Sequence, residues 1–422
     1  MTLAPLLAAP ATVQIHVAAA VSALLLGALQ LAAPKGTIPH RIAGWIWAGL
    51  IVTVAGSSFF IHTIRVWGPW SPLHLLAVFT PVMLVRAVIA ARQGNVRRHR
   101  IAMAAMFGLG LVLPSAIAFR PGRLIGRVFA GPAIGYEQRS FTGPDGRAID
   151  LAIWSPAGGA GLPLIVISHG TGGNYSGHAD TAQALAEAGF VVAAPNHPGD
   201  TSRDRSDSFT ARGLSQRPGQ LSAAIDFMLT AWAGRTRLDP ARIGVFGHSA
   251  GGYTALAAAG AAPDFARAAA FCRETPSEWG CERARARRDS LPPDADAAPP
   301  KPPVADARIK AIVIAAPAVG YAFAPEALSR VAVPVQLWEA ADDRITPNAV
   351  NSEIIRAGLP TRPDLHLVPA AGHFDFLAPC DVALAARVPQ ICESAPGFDR
   401  AAFHRQFNRD IAAFFAARLE AR

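Results

Sequence analysis

The first 136 residues of this 422-residue chain contain no aspartate or glutamate, and Glu137 is the first acidic residue. That absence excludes an ordinary water-soluble domain there, because such surfaces mix both signs of charge. Charge is scarce overall, at 16% against 51% hydrophobic residues, with a mean hydropathy of +0.27, which excludes a disordered polyelectrolyte. The net charge of +9 suggests a nucleic-acid partner only until it is mapped. Eleven of the 39 basic residues lie in the acid-free part, leaving 28 basic against 30 acidic beyond it, so no nucleic acid is expected. Cysteine is rare as well, with four in the chain, all beyond residue 271.

What the first third does contain is four apolar runs, at about residues 12–33, 42–62, 72–91 and 101–119. Each is close to the roughly 20 helical residues needed to cross hydrocarbon. The first run is too long for a signal-peptide core and has no basic residue before it, so the chain is expected to begin uncleaved. Lys35 and Arg41 lie between runs one and two, and Arg92, Arg97, Arg98 and Arg100 between runs three and four, against Arg65 alone in the remaining short loop. Positive loops stay inside, so both termini are expected outside, with the remainder of the chain on the periplasmic face of an inner membrane. His16, His62 and His74 fall near the outer helix ends and could in principle ligate a metal or haem. No spacing motif supports such a site, so interfacial histidines are the plainer expectation, with no cofactor and no metal.

The stretch Lys35-Gly-Thr-Ile-Pro-His40-Arg41 resembles the signature after the first helix of a family of bacterial four-helix membrane domains. The resemblance covers residues 12–119 and implies no particular activity. The expected organisation is a four-helix membrane domain at 1–119, a Gly/Pro-punctuated linker at 120–135 and a globular domain at 136–422.

Beyond the linker, β-branched runs alternate with helical stretches: Leu164 to Ser168, Phe190 to Ala194, Ile243 to Phe246, Ile309 to Ile314, Val333 to Trp338 and Leu365 to Val368. This predicts a mainly parallel sheet with helices on both faces, an α/β fold. Gly247-His248-Ser249-Ala250-Gly251 follows the third run directly and precedes an Ala-rich helical run, the setting of a nucleophile elbow in an α/β-hydrolase. A serine needs a base held by an acid, in the chain order Ser, Asp, His for this fold. Asp342 and Asp343 follow the Val333 run, and Asp343 is preferred; Thr346 as N-cap and Pro347 are expected to open the next helix. His373, in Ala371-Gly372-His373-Phe374, is expected to be the base. The backbone N–H groups of Ala250 and of Thr171, in Ser168-His169-Gly170-Thr171-Gly172-Gly173, are the expected oxyanion donors. His248 reads as structural, His178 and His197 as loop residues, and His366 and His404 as surface or core histidines.

Four stretches together resemble the bacterial predicted dienelactone hydrolases and platelet-activating-factor acetylhydrolase-like esterases: Ser168 to Asn174, Gly189 to Gly199, the elbow with Tyr253 to Leu256, and His373 to Cys380. The resemblance spans about 136–420 and implies the triad Ser249, Asp343, His373 with Thr171 in the oxyanion loop. Dienelactone hydrolases use a cysteine nucleophile where this chain has serine, so hydrolysis of a carboxylic ester on a small-molecule or lipid substrate is the better expectation. An alternative makes the four helices the functional core, a transporter, sensor or haem- or metal-binding redox unit, with the outer domain a binding module.

Cys272, Cys281, Cys380 and Cys392 fall into two sequence-near sets, which fits two disulfides in an oxidising compartment; four unpaired buried thiols is the other reading. Residues 273–307, rich in Arg, Pro and Ala, break the alternation and read as a cap insertion or a disordered excursion. The arginine run at 283–288 is expected to be solvated.

Overall fold

The computed structural model describes residues 4–7, 9–61, 67, 70–119, 125, 134–291 and 305–420. It divides into two compact units, Met1–Ala133 and Ile134–Arg422. His62, most of the expected linker and residues 292–304 of the expected insertion lie outside the described residues.

Among the described residues, the first unit holds four helices long and apolar enough to cross a membrane: α1 (Ala11–Ala32), α2 (Ile38–Ser58), α3 (Pro72–Arg92) and α4 (Val96–Ala118). Thr37 accepts the His40 N–H to start α2, and Asn95 accepts the Arg98 N–H to start α4. Their packing seam is made of Ala23, Trp47, Ile51, Leu84, Ala87, Met106 and Leu111. At Gly27 an added Cβ would meet the Phe107 ring at 2.7 Å, so glycine lets these helices approach. Trp47 donates its Nε1–H to Ala23 O at 2.9 Å, the one polar atom of that side chain being satisfied inside the seam. Within α4 the turns widen to a π-helix over Met106–Val112, ending at Leu113, whose N–H reaches Gly108 O. Pro114 follows and offers no N–H of its own, which fits the break in α-helical register. His16 and His74 line one cavity of about 140 Å³ with Ser58, Ser71 and Thr80. His16 Nδ1 lies 2.9 Å from Ser57 Oγ, and His74 Nδ1 accepts the Ser71 N–H at 3.1 Å.

The second unit is an eight-stranded sheet with strands β1 (Ile134–Thr142), β2 (Ala148–Pro156), β3 (Leu162–Ser168), β4 (Val191–Pro195), β5 (Leu238–His248), β6 (Ile309–Ala315), β7 (Val335–Ala340) and β8 (Asp364–Val368). Their order is β1-β2-β4-β3-β5-β6-β7-β8. β1 and β2 are antiparallel to their neighbours, and all later pairs are parallel. The helices α5 (Ala179–Glu187), α6 (Ala211–Thr230), α7 (Ala250–Ala258), α8 (Phe265–Glu274), α9 (Trp279–Asp289), α10 (Ser352–Gly358) and α11 (Arg400–Arg418) surround it. One core layer packs Leu221, Ile225 and Met228 of α6 and Tyr253 and Leu256 of α7 against one face; Leu185 of α5 and Phe407, Ile411 and Phe415 of α11 cover the other. β3 to β6 are buried on both faces, which explains why they read as continuous apolar runs.

All six sequence-predicted strands are present. β1 and β2, which the sequence reading omitted, form the antiparallel end of the sheet. β1 is an edge strand whose residues are nowhere fully buried, so it carries no strong apolar pattern.

Candidate active site

β5 delivers Ser249 into a turn with φ 56° and ψ −120°, a conformation a β-carbon-bearing residue holds only when its surroundings impose it. The surroundings do so through the backbone. Ser249 N–H donates to Ala315 O at 3.0 Å, and Ser249 O accepts from Gly252 at 2.8 Å and from Ala318 at 3.0 Å. The elbow is tight enough that a Cβ at Gly247 would overlap the Gly251 carbonyl and one at Gly251 the Ser168 carbonyl. Ser249 is therefore held at the N-terminus of α7, where the first N–H groups have no acceptor within the helix.

β3 ends in the loop His169–Gly173, which passes directly beside that turn: a Cβ at Gly170 would stand 3.2 Å from Ser249 Cβ and 3.3 Å from His248 Nδ1. The loop is fixed by buried imidazoles. His169 Nε2 accepts the His197 N–H at 3.1 Å, so its Nδ1 carries the proton and donates to Gly170 O at 2.7 Å. His197 lies between Ser168 Oγ at 2.8 Å and Gln220 Oε1 at 2.9 Å. Burial drives His169 down to about 3 and His197 well below the usual imidazole value, with the Arg217 charge adding to both, so both are neutral.

The loop after β7 carries Asp342 and Asp343. Asp343 is buried while Asp342 is exposed. Asp343 Oδ1 accepts the Ile345 and Thr346 N–H groups, each at 2.8 Å. Asp343 Oδ2 lies 2.8 Å from His373 Nδ1 and accepts the Thr346 hydroxyl at 2.9 Å. Burial pushes the carboxyl up, but the His373 charge and the hydrogen bonds from His373 and Thr346 outweigh it, and the net shift is downward. His373 opens the turn His373–Phe376 after β8 and is buried beside the elbow, with the His248 ring centroid 4.8 Å from its own. His248 Nε2 donates to His373 O at 3.1 Å, which sets the backbone of the histidine turn. Burial first, then the His373 charge, holds His248 far below the usual imidazole value.

One expectation changes here. Thr346 does not cap a helix, since α10 begins only at Ser352; its hydroxyl serves the carboxylate and lies 3.1 Å from His373 Nδ1. A buried carboxylate needs donors, and the nearest hydroxyl supplies one. His404 is a core histidine, as expected: its Nδ1 lies 2.7 Å from Asp180 Oδ2 and its Nε2 donates to Asp375 O at 2.8 Å, tying α5 and α11 to the histidine turn. His178 and His197 are loop residues only by position, since both are fully enclosed. Sequence reasoning also missed Arg217 and Asp200, which form a buried ion pair at 2.6 Å beneath the His169–Gly173 loop.

The structure joins Cys272 to Cys281 and Cys380 to Cys392, with Cα–Cα distances of 5.2 and 5.6 Å, so the thiols are paired. The first bond clasps α8 to α9. Trp279 of α9 meets Phe209 edge-on at 5.6 Å, and Arg287 donates to Ser206 O, so the described part of the insertion packs on the 206–209 loop. Arg283 lies over the Trp279 ring at 5.3 Å and Arg285 donates to Pro276 O, so the run expected to be solvated is largely exposed but tied to its surroundings at Arg283, Arg285 and Arg287.

The strand order, the strand-to-helix turn at Ser249 after β5, and Asp343 after β7 in contact with His373 after β8 decide the fold. The second unit is an α/β-hydrolase domain. Residues 176–272 of this hydrolase domain match the model of the prolyl oligopeptidase family, and residues 13–116 match that of a predicted membrane protein family, DUF2306. Cutinase est2 and cutinase est1 of Thermobifida alba are each 36% identical to the chain over 138 residues, 32% of the chain and 42% and 43% of the cutinases. The chain thus spans less than half the length of these curated relatives. A dienelactone hydrolase structure from Anabaena variabilis ATCC 29413 aligns with 68% of the chain and all of its own, at 17% identity and a TM-score of 0.43. The chain is a multi-pass membrane protein that joins a hydrolase domain to four apolar helices.

Proposed function

We propose that the protein is a membrane-anchored serine hydrolase that cleaves carboxylic esters through an acyl-enzyme on Ser249. The observation that carries this reading is the 2.8 Å contact of buried His373 Nδ1 with buried Asp343, beside a serine on a strained strand-to-helix turn. His373 Nδ1–H donates to Asp343, which leaves Nε2 as the base for the Ser249 hydroxyl. Ser249 Oγ attacks the ester carbonyl, and the tetrahedral oxyanion is received by the N–H groups of Ala250 and Thr171. The imidazolium gives its proton to the departing alkoxide, releasing the alcohol. Water, deprotonated by the same imidazole, then attacks the acyl carbonyl and frees the acid and Ser249.

The hydrolase domain stands on the periplasmic side of the inner membrane in this reading, on the strength of the basic loops around Lys35 and Arg97 and of the two disulfides. The prolyl oligopeptidase match favours amide hydrolysis as a second reading, which the same chemistry would serve. Purified full-length protein in detergent is to be labelled with a fluorophosphonate and assayed on p-nitrophenyl esters of increasing chain length beside peptide p-nitroanilides. Labelling lost in Ser249→Ala with esters turned over faster supports the proposal. Labelling that survives Ser249→Ala overturns the site, and faster anilide cleavage overturns the ester preference.

A further inference from the structure

Arg217 of α6 is 1% exposed and Asp200 3% exposed, and no step above uses them. Enclosing an ion pair costs more desolvation than mutual attraction commonly returns, and apolar side chains of the same volume often serve stability as well or better. What distinguishes this pair is where its hydrogen bonds end. Arg217 Nη2 donates to the His169 carbonyl and reaches Ser168 Oγ at 3.4 Å, both at the mouth of β3. Arg217 Nε donates to Thr254 Oγ1 at 3.0 Å, and that hydroxyl donates to the carbonyl of Ala250 at 2.7 Å, in the first turn of α7. Arg217 Nη1 holds Asp200 Oδ2 at 2.6 Å, and Asp200 Oδ1 accepts the Gly172 N–H at 2.9 Å and the Ser208 hydroxyl at 2.6 Å.

One rigid guanidinium therefore bonds to both segments that carry the oxyanion donors, the loop holding Thr171 and the helix beginning at Ala250. Through Asp200 it also fixes Gly172, the residue after Thr171, at a φ of +64°. We propose that Arg217 and Asp200 are positioning residues that set the spacing of the Thr171 and Ala250 N–H groups, so that both donors reach one oxyanion. Neither touches the substrate. A lysine cannot replace the arginine, because a single ammonium lacks the fork that reaches Thr254, Asp200 and His169 together.

The inference rests on the ester-hydrolase reading, and its test separates the two. Full-length Arg217→Lys and Thr254→Val proteins are compared with the parent on p-nitrophenyl butyrate and on the thiono analogue, whose C=S is a weaker acceptor and poorly suited to a correctly spaced hole. Arg217→Lys is expected to lose about 10²-fold in kcat with KM within about threefold, the scale of one missing donor. Thr254→Val is expected to lose roughly tenfold, a fraction of that loss. In both, the preference for the oxo over the thiono ester should shrink along with kcat, which a general loss of folded protein would not produce. If Arg217→Lys fails to fold, the milder Thr254→Val decides the question alone. Turnover kept within about twofold, or a fall in turnover with the oxo preference intact, overturns the proposal. A parent protein that neither labels nor hydrolyses either ester marks failure of the enzyme reading itself.

Discussion

The two units of this chain differ in how far along the sequence many of their polar groups reach for a partner. In the membrane unit four hydroxyls turn back on their own helix, Thr53 to Gly49 O, Ser57 to Thr53 O, Ser58 to Ala55 O and Thr80 to Leu76 O, and His16 to Ser57 and Trp47 to Ala23 O are contacts between helices. In the hydrolase domain buried polar groups reach across the sequence, as Arg217 does to Thr254, His404 to Asp180 and Asp375 to Arg400. The difference follows from solvent. A helix in hydrocarbon has no water for its polar atoms, so the cheapest arrangement is local. A domain bathed in water places long-range polar links in its core where they fix a geometry, and here they converge on the elbow, the loop after β3 and the histidine turn.

The contrast is broken most severely by acid. His169 and His178 are held by burial at about 3 and about 4, against an unfolded value near 6.5. The unfolded chain binds more protons between those values, so the stability these neutral imidazoles contribute is complete above pH 6.5 and is lost as pH falls toward 4, by about 1.4 kcal/mol per imidazole and pH unit. Thermal unfolding of the full chain at pH 7.5, 6 and 5, followed by fluorophosphonate labelling of Ser249, should show a steep fall. A flat profile would remove the buried histidines from the stability of this domain.

Asp343→Asn comes next. With the wrong tautomer at His373, kcat should fall by about 10⁴, whereas exposed Asp342→Asn should change it by less than about threefold. Steady-state kinetics on a p-nitrophenyl ester reads both, and equal losses would mean that the acid is misassigned.

A smaller effect sharpens the comparison from the other side. Trp47→Ala empties the seam of the membrane unit and should destabilise it by about 3 kcal/mol, seen as a lower denaturation temperature in detergent, while kcat on soluble esters stays within about twofold. The smallest change belongs to Ser57→Ala. It removes a local hydroxyl and the 2.9 Å contact with His16, and should cost about 0.6 kcal/mol in the same melt, because in-membrane hydrogen bonds are individually modest. A loss as large as that of Trp47→Ala would show that the His16 contact, and not helix packing, holds the bundle.

Much of this was legible because the relevant signals are local. The elbow, Gly247 to Gly251, is five consecutive residues, and the buried strands are runs rich in Val, Ile and Ala between turn residues. The Asp pair after the Val333 run is legible in the same way, but the role of Thr346 is not, because its hydroxyl is a partner of the Asp343 carboxylate and not a helix cap. Asp200 and Arg217 left no trace in pattern, because their partners lie up to 49 residues away and nothing marks a charge as enclosed until the chain is folded. The π stretch in α4 was hidden for a related reason, since Met106 to Val112 has the composition of any apolar helix. β1 was missed because an edge strand with an exposed outer side need not alternate.

The sheet order has a consequence for how the protein is made. β2 pairs not with β3, which follows it, but with β4, so its inner edge has no partner when it leaves the ribosome. Residues 157–195 must be synthesised first, a delay of roughly 2–8 s at 5–20 residues per second. During that interval the β1–β2 hairpin offers open backbone donors and acceptors to any neighbouring nascent chain. The order of strands in the finished sheet thus sets a window during synthesis in which this domain depends on being kept apart from its own copies.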